Sequence, residues 1–292
     1  MNIFTGFQEI VKTDVPLAEY TWYGVGGNAD YFITPRNIEE LTDVVKLCDQ
    51  HGIGIRVLGY GSNLLVSDEG VKGAVIKLEA DEFTKYEFDG EMLIAHAGTN
   101  LNNVVLESVR KGLAGIEALT GIPGSFGGAV KMNAGGSFGD IGASVVSVML
   151  MDKTGNIFEK VKPELSFDYR SSNITAKIIL AAKIKLTETD LDQLLKTLKE
   201  IWIYKKNSQP LNTKNSGCVF RNPRGLSAGA LIDRAGLKDL TIGGAQVSEK
   251  HANFIIANED CKAADIKRLI QAIQQRVKEE FDIALELELE IW

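Results

Sequence analysis

The chain has 292 residues, 45% of them hydrophobic and 24% charged, which is ordinary for a folded protein and enough for one to three domains with cores of their own. Its formal net charge of −7 argues against a nucleic-acid partner, which calls for a basic surface, but leaves small anionic ligands open. No apolar run is long enough to span a bilayer, the N-terminus lacks a basic start followed by an apolar core, and Cys48, Cys218 and Cys261 are too scattered for a disulfide framework, so a reducing, cytoplasmic setting is expected, without membrane association.

Residues 14–36 read as loop and strand around the turn-rich Gly24-Val25-Gly26-Gly27. A helix follows, with Asn37 as cap, Glu40 three residues on, and Ile38, Leu41, Val44, Val45 and Cys48 on one face. A short strand at 55–58 runs directly into Gly59-Tyr60-Gly61-Ser62-Asn63, and another strand is expected near 75–78. Paired strands are predicted over 82–98 and a helix over 100–111, with Leu101, Val104, Val105 and Val109 at helical spacing and Gly112 as its stop. The second glycine-rich stretch, 121–136, comes next. Strands are then predicted at 145–151, 157–161 and 177–186.

Near Thr187 the character changes. Leu191, Leu194, Leu195, Leu198, Ile201 and Trp202 form an amphipathic helix ending in Lys205 and Lys206, followed by a polar loop over 207–217. A last helix is expected over 264–280, and a closing strand sets Ile283, Leu285, Leu287, Leu289 and Ile291 against Ala284, Glu286, Glu288 and Glu290. Short strands mixed with separate helices define an α+β chain rather than a regular βαβ series.

The glycines carry the chemical information. Glycines directly after a strand allow positive φ and let backbone N–H groups approach phosphate oxygens, with Ser62 and Asn63 as added donors; the same residues also suit a tight turn. The segment lacks the third glycine of a dinucleotide fingerprint and the Gly-Lys-Ser/Thr of a phosphate-binding P-loop. In the second stretch, Gly121, Gly124, Gly127, Gly128, Gly135 and Gly136 are interleaved with Ile122, Pro123, Ser125, Phe126 and Ala129 and lead to Asn133. Such a backbone suits close approach to a flat, partly buried ring such as a flavin, or a buried connection between domains.

With these segments in view, the chain resembles the UDP-N-acetylenolpyruvoylglucosamine reductase family. The resemblance is carried by residues 25–30, 59–64, 115–136, 167–170, 209–210, 215–223, 228–237, 242–254 and 285–291, in family order over nearly the whole length. The tight connection after Tyr169-Arg170 resembles the shorter of the family's two types. The resemblance implies a p-cresol methylhydroxylase-type FAD-binding region of two α+β subdomains, 1–80 and 81–187, and a C-terminal α+β substrate-binding domain, 188–282, and leaves open the return of the strand 283–292 to the first. It implies non-covalent FAD held by Gly59, Tyr60, Gly61, Ser62, Asn63, Leu64, Gly121, Ile122, Pro123, Gly124, Ser125, Gly127, Gly128, Ala129 and Asn133. It also implies NADPH as co-substrate, and reduction of UDP-N-acetylenolpyruvoylglucosamine to UDP-N-acetylmuramate for peptidoglycan.

The resemblance places three residues in catalysis. Arg170 matches the active-site arginine, whose permanently charged guanidinium grips a carboxylate with two bonds. Cys218 matches the proton donor, a serine in many relatives; a thiol is the stronger acid of the two. Glu288 matches the C-terminal glutamate, while Glu286 and Glu290 read as a solvated strand face. Tyr169, Lys205, Arg221, Asn222 and Gln246 are weaker candidates for the UDP-sugar. No His, Cys and Asp cluster has metal spacing, so no metal is expected, and none of His51, His96 and His251 lies in a glycine motif that would attach the flavin covalently. No obligate protein partner is evident. The competing readings are another FAD oxidoreductase of the same superfamily, acting on a sugar or lactone, and a flavin- or nucleotide-binding protein without catalysis.

Overall fold

The computed structural model describes residues 3–292, which fall into two units. The first comprises the segment ending at Thr13 together with Tyr31–Gly59 and Lys72–Tyr204. The second comprises Asp14–Asp30, Tyr60–Val71 and Lys205–Trp292.

In the first unit, helix Ile38–Gln50 follows strand Asn28–Ile33 and precedes strand Ile55–Leu58, which pairs in parallel with Val71–Lys77. The helix starts as its sequence implies: the Asn37 side chain accepts from Glu40 N at 2.9 Å, and Leu41, Val44, Val45 and Cys48 are buried. An antiparallel five-stranded sheet has the order Ile157–Val161, Val145–Met151, Ile178–Lys185, Met92–His96 and Tyr86–Asp89. Helix Leu101–Arg110, capped by Asn100, buries Leu101, Val104, Val105 and Val109 in one continuous core with Ile33, Ile76, Leu93 and Leu150. The second glycine stretch contains a feature that periodicity did not predict, a six-residue helix, Phe126–Lys131, packed on strands Met92–His96 and Ile178–Lys185. It is too short to show a helical repeat, and its one local signal is Ser125, whose side chain accepts from Gly128 N.

The second unit has its own core, built from Val219, Phe220, Leu231, Ile232, Ile266, Leu269, Ile273 and Leu285. A three-stranded antiparallel sheet, Thr241–Ile242, Ala245–Val247 and Ile255–Ala257, packs with helix Ala263–Phe281. Helix Ala228–Arg234, capped by Ser227, was also missing from the sequence-based elements, since it makes only two turns. The closing strand is shorter than the alternation suggests. Its ladder is Glu290–Ile291, parallel to Leu64–Leu65, and Leu287 forms an isolated bridge with Phe220. The alternation itself holds: Leu285 and Leu289 are buried while Glu286 and Glu290 are exposed.

The start of Ala263–Phe281 is held from a distance. Both Asp68 carboxylate oxygens accept from its first turn, Ala263 N at 2.9 Å and Ala264 N at 2.8 Å. An anion at a helix N-terminus satisfies orphan donors and opposes the helix dipole. Asp68→Ala is expected to cost about 1 kcal/mol of stability, read as a lower urea midpoint with an unchanged slope.

Candidate active site

The two glycine segments meet inside the first unit. Strand Ile55–Leu58 ends at Gly59, where a Cβ would lie 2.5 Å from Ser125 Oγ, so only glycine lets the strand end come this close to the helix cap. Ser125 is held in turn by neighbouring backbone: Phe126 N donates to Thr99 O at 2.8 Å, Gly127 N to Ala97 O at 2.9 Å, and Leu101 N to Gly124 O at 3.1 Å. A strand end, a capped helix start and the half-buried Gly121, Ile122, Pro123 and Gly124 therefore converge, with Gly128 exposed and Ala129 buried.

Asn133 couples this stretch to Arg170. It is buried with φ of 45°; its amide donates to Asp168 O at 2.9 Å and its carbonyl oxygen accepts from Gly142 N at 2.9 Å. Asp168 ends one strand of the hairpin Phe167–Asp168 with Ser171–Ser172, and Tyr169 and Arg170 form its connection. Arg170 adopts φ of 54°, a left-handed conformation unusual for a branched cation and found where surrounding structure enforces it. Its guanidinium lies 5.1 Å from the Tyr169 ring centroid, a cation–π contact on an exposed tyrosine.

The second unit brings together the other residues singled out in the sequence. Gly61 has φ of 63°, and a Cβ there would overlap the Tyr20 carbonyl; Trp22 N donates to Gly61 O at 3.1 Å. Tyr60 is exposed, Ser62 is half-buried and Leu64 is buried. The Asn63 amide donates to Glu288 O at 3.0 Å, and Glu290 N donates to Asn63 O at 3.1 Å. Beside them runs the loop bearing Cys218. Val219 O accepts from Glu288 N at 2.9 Å and from Leu289 N at 3.3 Å, and Arg221 N donates to Glu286 O at 2.8 Å. Cys218 and Glu288 are both half-buried and stand on adjacent paired segments.

The remaining candidates are engaged within the fold. Asn222 Oδ1 accepts from Ala228 N at 2.9 Å, and Gln246 bonds Asn258 at 3.2 Å and Asp239 at 3.5 Å. Lys205 is buried in the last turn of helix Leu191–Ser208, and Arg221 is half-buried. One residue that the sequence did not single out is Asn253. It is buried, bonds both Phe220 N, at 2.9 Å, and Phe220 O, at 2.8 Å, and offers its own carbonyl to Val219 N at 2.8 Å. No spacing rule marks an asparagine that mimics a strand partner. Burial lowers the His251 pKa, and its Nδ1 accepts from Asn253 N at 3.2 Å. Of the other thiols, Cys48 is pushed up to about 11 by burial, and Cys261 to about 11 by burial with Asp265 and Asp68 nearby.

The fold and these loops define an FAD-binding protein. Residues 29–160 match the family model for an FAD binding domain, and residues 209–292 match that for the UDP-N-acetylenolpyruvoylglucosamine reductase C-terminal domain. The chain is 38% identical over 100% of its length, and 95% of the relative's, to UDP-N-acetylenolpyruvoylglucosamine reductase of Clostridioides difficile. It is 39% identical to the Bacillus licheniformis protein of that name over 96% of this chain and 93% of the relative. A crystal structure of UDP-N-acetylenolpyruvylglucosamine reductase from Thermus caldophilus superposes with a TM-score of 0.85 at 41% identity, covering 97% of this chain and 98% of the other. A Physcomitrella patens BBE-like 1 variant shares the fold alone, with a TM-score of 0.59 at 13% identity over 96% of this chain and 89% of the other. The chain belongs to the UDP-N-acetylenolpyruvoylglucosamine reductase family, and its fold is of the α+β, p-cresol methylhydroxylase type.

Asn133→Ala removes the acceptor of the buried Gly142 N and the donor to Asp168 O, and places alanine at positive φ. A loss of about 3 kcal/mol is expected, together with weaker FAD retention on gel filtration, because the same side chain ties the glycine stretch to the Arg170 hairpin.

Proposed function

We propose that this chain catalyses the NADPH-dependent reduction of UDP-N-acetylenolpyruvoylglucosamine to UDP-N-acetylmuramate, supplying peptidoglycan precursors in the cytoplasm. FAD, when bound, carries hydride from NADPH to C3 of the enolpyruvyl group. The protein must then neutralise the developing enolate on the carboxylate and deliver a proton to C2, so that one hydride and one proton turn CH2=C into CH3–CH. In this reading Arg170 pairs with the carboxylate, the Cys218 thiol gives the proton, and Glu288 orients the substrate. Tyr169, Lys205, Arg221, Asn222 and Gln246 take the UDP-sugar. The domain division proposed is 1–80 and 81–187 for FAD and 188–282 for substrate.

The observation that carries this reading is the pairing of Val219 with Glu288. It sets an acidic hydrogen on sulfur and a half-buried carboxylate on neighbouring segments, while Glu286 and Glu290 on the same strand stay exposed. Asn63, from the first glycine motif, is bonded to the backbone of that same Glu288. The two glycine segments, which converge at Ser125, are taken to line the flavin, and Asn133 bonds the hairpin that presents Arg170.

The test is anaerobic stopped-flow absorbance of the yellow holoenzyme. NADPH should bleach the flavin, and the enolpyruvyl substrate should restore it. Cys218→Ala is expected to keep the first phase and lose the second by about a thousandfold, in the range of removing a general acid; Glu288→Gln should slow the second phase alone. Full turnover by Cys218→Ala overturns the assignment of the thiol. Bleaching that reverses with oxygen but not with the enolpyruvyl sugar would favour an oxidase of the same superfamily.

A thiol reacts with iodoacetamide as the thiolate, so a pKa raised to about 11 leaves roughly one molecule in a thousand reactive at pH 8. Cys48 and Cys261 are therefore expected to stay unmodified in the folded protein at that pH and to become reactive together on unfolding, as mapped by mass spectrometry.

A further inference from the structure

Arg170 sits in the two-residue connection of a hairpin whose ladder has only two pairs, Phe167 with Ser172 and Asp168 with Ser171, extended by Asn173 N donating to Ser166 O at 3.0 Å. So short a hairpin is marginal by itself, and the φ of 54° at Arg170 adds cost rather than support. The backbone that carries the guanidinium is therefore set from outside the hairpin. On the outgoing strand two contacts do this. Asn133 donates to Asp168 O at 2.9 Å, and Phe167 lies so close to Gly142 that a Cβ there would come 2.5 Å from its Cγ.

The returning strand has a clamp of its own. Ser172 Oγ donates to Lys131 O at 2.7 Å, and Lys131 Nζ donates to Ile174 O. One lysine thus grips the strand at two points, with its carbonyl at residue 172 and its ammonium at residue 174. Lys131 ends helix Phe126–Lys131, so its carbonyl is an orphan acceptor of the last turn and its charge complements the negative end of the helix dipole. Ser172 is half-buried and Ile174 is buried, which limits the water able to replace these bonds. The same helix begins at Ser125, beside Gly59. A single six-residue element therefore meets the first glycine motif at one end and holds the Arg170 hairpin at the other.

We propose that Ser172 and Lys131 are positioning residues for Arg170, setting its guanidinium through the returning strand of the hairpin. This rests on the reading of Arg170 as the partner of the substrate carboxylate. Neither side chain has to touch substrate or flavin, since each acts on backbone carbonyls. Their loss is then felt where Arg170 acts, in reoxidation of the flavin by the enolpyruvyl substrate, and not in its reduction by NADPH.

Ser172→Ala and Lys131→Met each remove one of the two bonds. Both are to be made in the holoenzyme and followed by anaerobic stopped-flow absorbance, with FAD content measured on each. Each should slow reoxidation by about fivefold, the scale of one lost hydrogen bond, and leave FAD content and bleaching by NADPH at parent values. Ser172→Thr, which keeps the hydroxyl, should restore the parent rate. In an Arg170→Ala background the two changes should slow reoxidation no further, because effects routed through one side chain do not add. Parent-like reoxidation in both single variants would overturn the proposal. The same fivefold loss with and without Arg170 would reduce the pair to a structural role and also refute it, as would lost FAD or slowed bleaching in both. Failure of the underlying reading looks different: Arg170→Ala itself would then reoxidise at the parent rate.

Discussion

The Val219 carbonyl accepts from two successive backbone amides, Glu288 N and Leu289 N, and the arrangement of the second unit's chemical groups depends on this acceptor. Backbone pairing is indifferent to side-chain chemistry, yet it fixes which side chains become neighbours. Here it joins a loop near residue 218 to a strand near residue 288. The strand continues through Glu290 and Ile291 into its ladder with Leu64 and Leu65, so the end of the first glycine motif, the thiol-bearing loop and the C-terminal carboxylate belong to one hydrogen-bonded assembly. Asn253 completes it by giving Phe220 the two bonds that a further strand would have supplied. For its buried members, Val219, Phe220, Asn253 and Leu289, each unmade bond would carry its full desolvation cost.

The first unit uses close packing instead of a ladder. Gly59 and Gly127 let backbone approach Ser125 and Ala97 at distances that a Cβ would forbid. The glycines thus serve the protein's own packing, and the amides at the helix start are spent on it: Phe126 N donates to Thr99 O, Gly127 N to Ala97 O, Gly128 N to Ser125 Oγ and Ala129 N to Ser125 O. Asn133 then transmits that position to a hairpin whose Arg170 is held at positive φ.

Much of this was legible from local pattern. Helices of ten or more residues announced themselves through apolar spacing and capping asparagines, and Asn37 and Asn100 cap as the sequence implies. Helices Phe126–Lys131 and Ala228–Arg234 did not, because one or two turns are too few to show a period. The closing segment read as a long alternating strand. Its side chains do alternate between buried and exposed, but most of its backbone lacks a continuous ladder, since alternation records which face is buried and not where the hydrogen bonds go. Asn222 Oδ1 accepts from Ala228 N at the start of a helix, a contact that no sequence spacing marks.

The sequence by itself determined the α+β class, the main helices, the two glycine segments and, through its resemblance to a family, which residues to watch. These are properties of short windows and of residue order. What only the tertiary structure decided is which distant residues stand together: Gly59 against Ser125, Asn133 under the Arg170 hairpin, and Asn63 and Val219 on Glu288. Such pairings arise from burying apolar faces and satisfying backbone groups across long sequence separations. No local rule encodes them, and the glutamate that differs from its strand neighbours in burial is told apart only once the strand has found its partner.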